Sequence, residues 1–436
     1  MTNHDELHVT YQPAEDGTEM DITFRGVIHR SMIRHQTTKT DSPSSDWWKS
    51  YITGGKATSS DGGNHRVALV DLFSGSGGLS QGVKLACDAL GVKLEPLLAV
   101  DVDQAALGAY ARNHFPHQVV HDSVKNLISY SVIKTGGGFK FGLRPRLVDP
   151  DLLPKTQIPR IVIGGPPCQG HSTLNNHTRH NDVRNELYIT VPAIAIAIDA
   201  DMVIIENVPR VGVSKENVVG ASIQLLEEAG YQVQFGVLAA DALGWPQTRK
   251  RFFIVAMKSD SPIPLSQIQA ALAHPTRDLR WLIGDIETLD DGTVMTSVPI
   301  LSELNQARVR SLHDIPDDAE GSDRYRLVDE LRPQAHIDSP TYKDVYGKLL
   351  WDGPAQTLTT GFLTPGRGRY VHPSQHRTLN PREAARIQGF PDNYVFRNGD
   401  VDPGRTLLTK WIGDAVPSPL GFAAALSLLL PFASDA

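Results

Sequence analysis

Cysteine is scarce in this chain, which has only Cys87 and Cys168 among its 436 residues. So few cysteines exclude a disulfide framework and are typical of a reducing compartment, where a single thiol can stay reactive. Long apolar runs are also missing: no segment offers about eighteen uninterrupted apolar residues. The N-terminal stretch, with Asp5 and Glu6, lacks the apolar core of a signal peptide. We therefore expect a cytoplasmic protein without a membrane role.

An excess of positive charge is absent as well. The chain has 42 Lys and Arg against 49 Asp and Glu, a net charge of -7. Taken alone, this balance argues against a nucleic-acid partner, but the local charge on one face decides that question. The content of 21% charged and 40% hydrophobic residues is ordinary for a globular protein. A chain of this length can form one large core and a second, smaller one.

The texture of the sequence changes along the chain. Residues 1–65 are polar, with Trp47, Trp48 and Tyr51 as the only apparent anchors, and predict a loosely ordered extension. From Val67 to about Met257, strand and helix patterns alternate, which predicts an α/β fold with a doubly wound, mostly parallel sheet. After Pro262 the alternation fails, which indicates a second, smaller domain. The expected divisions are 1–65, 66–261, 262–376 and 377–436.

Individual elements follow from apolar periodicity and turn residues. The predicted strands are 66–72, 95–100, 118–120, 158–163, 202–205, 232–239 and 252–257. The predicted helices are 78–90, 104–113, 187–198, 222–229, 381–388 and 419–430, and the last is expected to return to the first domain. Residues 130–157, rich in Gly, Lys, Arg and Pro, predict an inserted loop, whose basic residues suit a solvated surface.

Cys168 follows a predicted buried strand, separated from it by two glycines and by Pro166 and Pro167. Glycine and proline force such a segment out of regular structure. A free cysteine is most often a small buried hydrophobe, and we interpret Cys87 in this way. Cys168 instead lies at a strand end, where open α/β sheets place their ligand crevice, and is a candidate nucleophile.

A glycine-rich turn, Phe73 to Leu79, follows one strand and opens a helix. Its residues Ser74, Gly75, Gly77 and Gly78 can bring backbone amides close to a ligand, although a ligand-free turn has the same pattern. Carboxylates follow the next two strands, at Asp101-Val102 and Asp122-Ser123, and each is as well explained as a helix N-cap. Together these residues predict a nucleoside cofactor without a phosphate-binding lysine.

Further charged side chains end two other strands. Glu206 closes a buried strand, and is either a structural carboxylate or a partner for Cys168. Arg249 and Arg251, in the segment that begins at Gln247, fall on one side of an extended chain. They suit a phosphate or a carbonyl oxygen, while a solvated charge run is the simpler alternative.

In this order, the motifs resemble those of the C5-cytosine DNA methyltransferases, from about Val67 to Leu430. The matching segments are Phe73–Leu79, Gly165–Ser172, Glu206–Val208, Gln247–Arg251, Arg382–Pro391 and Gly413–Pro417, together with Asp101 and Asp122. The chain departs from the family at Asp414, where asparagine is usual. Residues 1–65 and 130–157 exceed a minimal enzyme of this type and are candidates for contacts to DNA or a partner.

The resemblance implies a class I methyltransferase fold and transfer of a methyl group from S-adenosyl-L-methionine to C5 of a cytosine flipped out of double-stranded DNA. The implied catalytic residues are Cys168, Glu206, Arg249 and Arg251. The implied cofactor contacts are Phe73, Ser74, Gly75, Gly77, Gly78, Leu79, Asp101, Val102, Asp122, Ser123, Pro166, Leu187, Asp414, Ala415 and Val416. The implied DNA contacts are Gln169, Ser172, Gln247, Arg367, Arg369 and Arg377; no metal is expected.

Two features extend this interpretation. The stretch from Gly361 to Arg386 has five arginines against Glu383, which predicts a local basic face for DNA. We expect a monomer in the prokaryotic cytoplasm, associated with the nucleoid, with a cognate restriction endonuclease as a candidate partner.

Three other functions are alternatives for this sequence. A tRNA cytosine methyltransferase has the same fold, but its relatives have a shorter second domain. A catalytically silent DNA-recognition protein would not need Cys168, Glu206 and Arg251 together. A nicotinamide oxidoreductase leaves the cysteine loop without a role.

Overall fold

The computed structural model describes residues 6–34, 42–59, 65–136, 138–167, 184–213, 218–316, 318–337, 345–399 and 401–434. Its N-terminal part is a four-stranded antiparallel sheet with one helix. These elements are β1 (His8–Pro13), β2 (Gly17–Phe24), β3 (Val27–Arg34), α1 (Pro43–Ile52) and β4 (Thr58–Ser59).

The prediction of a loosely ordered N-terminal extension is therefore wrong for the described residues. Alternate residues of β2 are buried, including Met20 and Ile22 at 0% exposure, and α1 buries Trp47 against Phe422. The period-two burial explains the error, because a strand with one buried face contains as many polar as apolar residues. The N-terminal sheet is thus part of the main core.

A seven-stranded sheet forms the centre of the molecule. Its strands are β5 (Arg66–Leu72), β6 (Lys93–Asp101), β7 (Gln118–His121), β10 (Arg160–Gly164), β11 (Met202–Asn207), β12 (Gln232–Ala239) and β13 (Lys250–Met257). In the strand order β12-β13-β11-β10-β5-β6-β7, β13 runs opposite to the other six strands, so the predicted doubly wound, mostly parallel sheet is confirmed.

Helices cover both faces of this sheet. Their bounds are α2 (Gly78–Leu90), α3 (Gln104–His114), α4 (Arg184–Ala197) and α5 (Val218–Glu228). The N-terminal sheet, α2 and the C-terminal helix pack on the face that includes Val67 and Leu69. The opposite face, with Val70 and Leu72, packs against α4 and α5.

The predicted loop at 130–157 is a β-hairpin for most of its length. Strands β8 (Ile128–Thr135) and β9 (Gly138–Leu147) pair antiparallel and lie against α4 and α5. The glycine and proline content suggested a loop, but Tyr130 and Phe141 alternate with exposed residues and supply an apolar face that packs on the second core.

The C-terminal half consists of short elements and one long helix. These are α6 (Leu265–Ala271), α7 (Leu279–Ile283), α8 (Glu303–His313), α9 (Gln334–Ile337), β14 (Gly347–Lys348), β15 (Arg369–Val371), α10 (Pro381–Ile387), α11 (Arg405–Asp414) and α12 (Ser418–Ser434). A small separate cluster joins α8 to β15 through Val309, Leu312 and Val371. It lies within the segment 262–376, most of whose other buried side chains, including Leu279 and Phe362, belong to the main core, and the division into two domains stays a prediction.

The long helix α12 returns to the first domain, as predicted. It packs along α2, where a side chain on Gly82 would meet the backbone of Gly421 and Phe422 within 2.6 Å. By length and composition the stretch 405–434 could cross a membrane, but 89% of its most apolar window is buried inside the protein. Its hydrophobicity is accounted for by the core.

Candidate active site

Three adjacent parallel strands bring the predicted motifs to one edge of the sheet. Gly164, the last residue of β10, pairs with Leu72 of β5 on one side and Ile205 of β11 on the other. The glycine-rich turn, the start of the cysteine loop and Glu206 therefore lie side by side. Cys168, Gln169 and Ser172 lie outside the described residues, which end at Pro167 in this loop.

The entry of the cysteine loop is fixed next to Glu206. The side-chain amide of Asn207 donates a 3.2 Å hydrogen bond to the carbonyl of Pro166. A Cβ on Gly165 would lie 3.1 Å from Oε2 of Glu206, which leaves little room for any side chain there. The anchoring role of Asn207 was not predicted, although the residue is part of the recognised glutamate motif.

Glu206 and Arg251 form a buried ion pair at this edge. Nε of Arg251 lies 2.8 Å from Oε1 of Glu206, and the two side chains are 13% and 10% exposed. Burial raises the pKa of the Glu206 carboxyl above its usual value, while Arg251 and Arg249 oppose that shift. A carboxyl in such surroundings can hold a proton at higher pH than an exposed glutamate.

Arg249 has a different environment from the one predicted. It is 2% exposed, and its guanidinium donates hydrogen bonds to the carbonyl oxygens of Leu358, Gly413 and Ala415. The prediction that it engages a base or a phosphate is therefore not supported by its contacts. Because its two terminal nitrogens are occupied by backbone, we assign Arg249 to holding the segment Gly413–Ala415 against the sheet.

Replacing Arg249 by methionine is expected to lower the free energy of unfolding by about 2–4 kcal/mol, because buried carbonyl oxygens lose a charged donor. The affinity for S-adenosylmethionine should fall as well, since the Gly413–Ala415 segment loses its anchor. Urea titration and calorimetry measure the two effects. Lys250→Met, at the exposed neighbour, should change neither. A variant with normal stability and normal affinity but a low kcat would contradict this assignment and give Arg249 a catalytic role.

Two of the predicted DNA contacts, one buried and one partly buried, pair with other side chains of the protein. Gln247 is 0% exposed and donates to the side chain of Gln388. Arg377 forms a two-pronged ion pair with the buried carboxylate of Glu383, with distances of 2.7 and 2.8 Å. The sequence pattern misled because it cannot show which polar groups pair with each other.

The predicted basic face from Gly361 to Arg386 is correspondingly smaller. Arg386 is 2% exposed and binds Asp285 and Asp392, and Arg382 donates to the backbone of Asp392. Arg367 is exposed, and Arg369 is half-buried with its guanidinium 4.1 Å from the ring centre of Tyr325. Only Arg367 and Arg369 of the five arginines therefore stay available for DNA.

The glycine-rich turn has the strained backbone of a ligand-binding loop. Phe73 adopts a positive φ of 61°, and the amide of Gly75 donates a 2.8 Å hydrogen bond to Asp101. At Gly77, with φ of 93°, a Cβ would lie 2.6 Å from both His114 and Tyr394. The support that these two rings give the turn was not predicted, since their position in the sequence indicates no such contact.

This turn fits a nucleoside cofactor. The hydroxyl oxygen of Ser74 is buried without a hydrogen-bond partner among the described residues, and a Cβ on Gly75 would meet open space. Val102 is 67% exposed beside Asp101, which provides an apolar surface next to a carboxylate. Asp101 also accepts from the amide of Asp103, so its role as a turn-forming residue coexists with a role in binding.

The remaining predicted cofactor residues lie around the same edge of the sheet. Asp122 is exposed and accepts hydrogen bonds from the amide of Ser123 and the side chain of Asn126. Val416 meets the start of α2, where a Cβ on Gly78 would lie 2.7 Å from its carbonyl. Asp414 is 59% exposed with Lys410 at 3.5 Å, while Leu187 lies in the first part of α4. Their contacts with a cofactor stay predictions.

The doubly wound sheet, the glycine-rich turn at its first strand and the buried Glu206 beside a cysteine loop define a class I methyltransferase. The family model for C-5 cytosine-specific DNA methylases matches residues 67–429, and the chain belongs to this family. Enzymes of this family use S-adenosyl-L-methionine and act on double-stranded DNA. The protein is thus a DNA (cytosine-5)-methyltransferase.

Individual relatives agree with this assignment. The chain is 36% identical to Type II methyltransferase M1.BsuMI of Bacillus subtilis over 83% of its length and 80% of that protein. It is 30% identical to Type II methylase M.HgiDII of Herpetosiphon aurantiacus, covering 83% and 94%. The fold resembles a prophage-encoded DNA modification methyltransferase structure from E. coli, with a TM-score of 0.53 and 20% identity over 84% and 99% of the chains.

Proposed function

We propose that Cys168, Glu206 and Arg251 carry the methylation of a cytosine that is flipped out of duplex DNA. The observation that supports this most directly is the buried Glu206–Arg251 pair beside the entry of the cysteine loop. A duplex hides C6 of cytosine, so the base has to leave the stack before the thiolate can reach it. The cost of unstacking is a few kcal/mol, which contacts to the base and the phosphates would offset.

The chemistry follows from the weak nucleophilicity of C5. The thiolate of Cys168 adds to C6 while Glu206 donates a proton or a hydrogen bond to N3, which turns the ring into an enamine. S-adenosylmethionine, when bound, supplies the methyl group that C5 accepts. A base then removes the C5 proton, and elimination of the thiolate restores the aromatic ring.

Arg251 acts in this scheme as the group that orients Glu206. Its Nε lies 2.8 Å from Oε1 of the carboxyl. This ion pair restricts rotation of the carboxyl group and so fixes the position of Oε2. On Gly165, a Cβ would approach Oε2, which places that oxygen next to the cysteine loop. Oε2 of Glu206 would then contact N3 of the cytosine, and Arg251 would bind O2 of the base as its second partner.

The proposed cofactor contacts come from the glycine-rich turn and the two strand-end carboxylates. Asp101 and Asp122 would accept hydrogen bonds from the ribose and the adenine amine, and Phe73 would contact the ring. The hydroxyl of Ser74, which has no hydrogen-bond partner in the described part of the chain, supports a polar contact at the same turn. Asp414 replaces the asparagine usual in this position, and its neighbour Lys410 partly neutralises its charge.

Methyl incorporation into duplex DNA and into tRNA, measured with labelled S-adenosylmethionine, tests the proposal. We expect incorporation into DNA alone, at sites that bisulfite sequencing identifies as 5-methylcytosine in a fixed sequence context. Methylation of tRNA with no methylation of DNA would favour the alternative substrate. Binding of DNA without any methyl transfer would favour a silent recognition protein.

We also propose a biological role and a cellular location for the enzyme. Both bacterial relatives named above are described as Type II methyltransferases, which supports a role in restriction-modification, with or without a cognate endonuclease. We infer that the enzyme works as a monomer in the cytoplasm, in association with the nucleoid.

A further inference from the structure

The hairpin β8–β9 presents a row of basic side chains that the reaction does not use. Residues 128–147 include Lys134, Lys140, Arg144 and Arg146 and no acidic residue, although the whole chain has a net charge of -7. All four side chains are exposed. Among the described residues, none of the four is joined to a carboxylate by an ion pair. Arg144 contributes only at longer range, where it helps to lower the pKa of Asp199.

One face of the hairpin packs on the protein, and the other face is exposed and basic. Phe139 and Phe141 face inward and pack on Ile189 of α4 and Leu225 of α5. Lys140, Arg144 and Arg146 alternate with them and face outward. In an extended strand, side chains two residues apart on one face are separated by about 6.8 Å. The outward positions of β9 therefore place these three charges on one exposed side of the hairpin, with Gly142 between Lys140 and Arg144 and with shifts of the pairing register on either side of Ser131.

Specific contacts fix the hairpin to the catalytic domain. The amide of Phe139 donates a 2.9 Å hydrogen bond to the side chain of Gln224 on α5. Gly138, with φ of 127°, lies so close that a Cβ would be 2.1 Å from the same oxygen. The row of charges is thus held rigidly rather than on a flexible loop, which lowers the entropy that a partner's binding would cost.

The position of the hairpin relates it to the substrate. It packs along α4, the helix that follows the cysteine loop and is about 21 Å long. A duplex whose cytosine enters the site extends well beyond that loop, and its backbone has one negative charge for about every 1.7 Å of axis. Arg144 lies near enough to Asp199, just after the far end of α4, to lower the pKa of that carboxyl, so this surface lies away from the cysteine loop. The occupant whose charge matches it is the DNA that flanks the target.

We propose that Lys140, Arg144 and Arg146 form a second DNA-contact surface, which binds the phosphate backbone outside the target sequence. This inference rests on the proposed function, because it assumes that duplex DNA is engaged at the cysteine loop. Contacts of this kind position the protein without reading bases. They give affinity that depends on salt and on the length of the duplex, and they leave the chemical step unchanged.

The test is a salt series of binding by the full-length protein to a long duplex that contains the methylated site. The variant combines Lys140→Gln, Arg144→Gln and Arg146→Gln. The association constant falls with salt, and each phosphate contact adds about 0.9 to the steepness of log K against log salt. Loss of three contacts should therefore make the plot shallower by about 2.7. Between about 50 and about 200 mM salt, the wild type should lose about 40-fold more affinity than the variant.

A matched control removes three exposed positive charges elsewhere, with Arg34→Gln, Lys56→Gln and Lys93→Gln. It should keep the wild-type slope. Both triple variants should retain the wild-type kcat on a short duplex that ends near the target. This readout separates the two proposals, since absence of methyl transfer by the wild type would count against the active site and not against the hairpin.

Equal salt slopes for the hairpin variant and the wild type on the long duplex would overturn the proposal. So would equal losses in the hairpin variant and the control, because net charge alone would then explain the effect. A hairpin variant that loses affinity for a structured RNA but not for DNA would also overturn it, and would assign the surface to RNA.

Discussion

Glu206→Gln is expected to lower kcat for methyl transfer by about 10²–10⁴-fold, the usual contribution of a positioned general acid. Glutamine preserves the shape of the side chain but cannot give a proton to N3 of the cytosine. It also replaces the charged partner of Arg251, which lies 2.8 Å from the glutamate in the wild type. Single-turnover methylation measures the rate, and calorimetry should show little change in affinity for S-adenosylmethionine.

The pH dependence follows from the environment of the same carboxyl. Burial raises the pKa of Glu206, so its protonated form persists to higher pH than for an exposed glutamate. A step that needs this proton should be fastest below the pKa in the folded enzyme and should slow as the pH rises through it. The Glu206→Gln variant should lose this decline, because glutamine does not titrate.

Glu383→Gln is the matched control for this prediction. Glu383 is also buried and held by an arginine, but it pairs with Arg377 in the C-terminal half of the chain. Its replacement is expected to reduce stability without changing the pH profile of kcat. If Glu206→Gln and Glu383→Gln reduced kcat equally, Glu206 would be a structural carboxylate and not part of the reaction.

Cys168→Ser is expected to abolish methyl transfer and covalent trapping on DNA that contains 5-fluorocytosine. The thiolate is the nucleophile in such an addition, and a serine hydroxyl is far too weakly acidic to replace it at neutral pH. Fluorine at C5 blocks the final elimination, so the wild type should stay attached to the DNA through denaturing electrophoresis. Anisotropy measurements should show that the variant still binds the duplex.

Cys87→Ala serves as the control for the second cysteine. Cys87 is 0% exposed inside α2, and burial raises the pKa of its thiol, so it forms no thiolate near neutral pH. The variant should keep both transfer and trapping. Trapping by Cys168→Ser, or its loss in Cys87→Ala with intact folding, would contradict the assignment of the nucleophile.

The sequence predicted the central fold well, because the signals are local. The bounds of β5, β12 and α2 match the prediction residue for residue. Buried parallel strands are nearly continuous apolar runs, and glycines mark the turn before α2, so few neighbours outside each segment are needed to recognise it. The N-terminal sheet was missed because one-sided burial halves its apolar content, and its core face appears only once α1 and α12 are in place.

The active site, like the fold, was predictable from the sequence only in part. By itself the sequence determined the chemical groups and their order: the glycine-rich turn, the cysteine after a buried strand, Glu206 at the end of another, and the arginines after Gln247. What only the tertiary structure decided is which charges meet. It pairs Arg251 with Glu206, commits Arg249 to backbone carbonyls and Arg377 to Glu383, and leaves the hairpin arginines exposed. The physical reason is that a charge interacts with what lies within a few ångströms in space, and those neighbours are more than 40 residues away along the chain for the central pair.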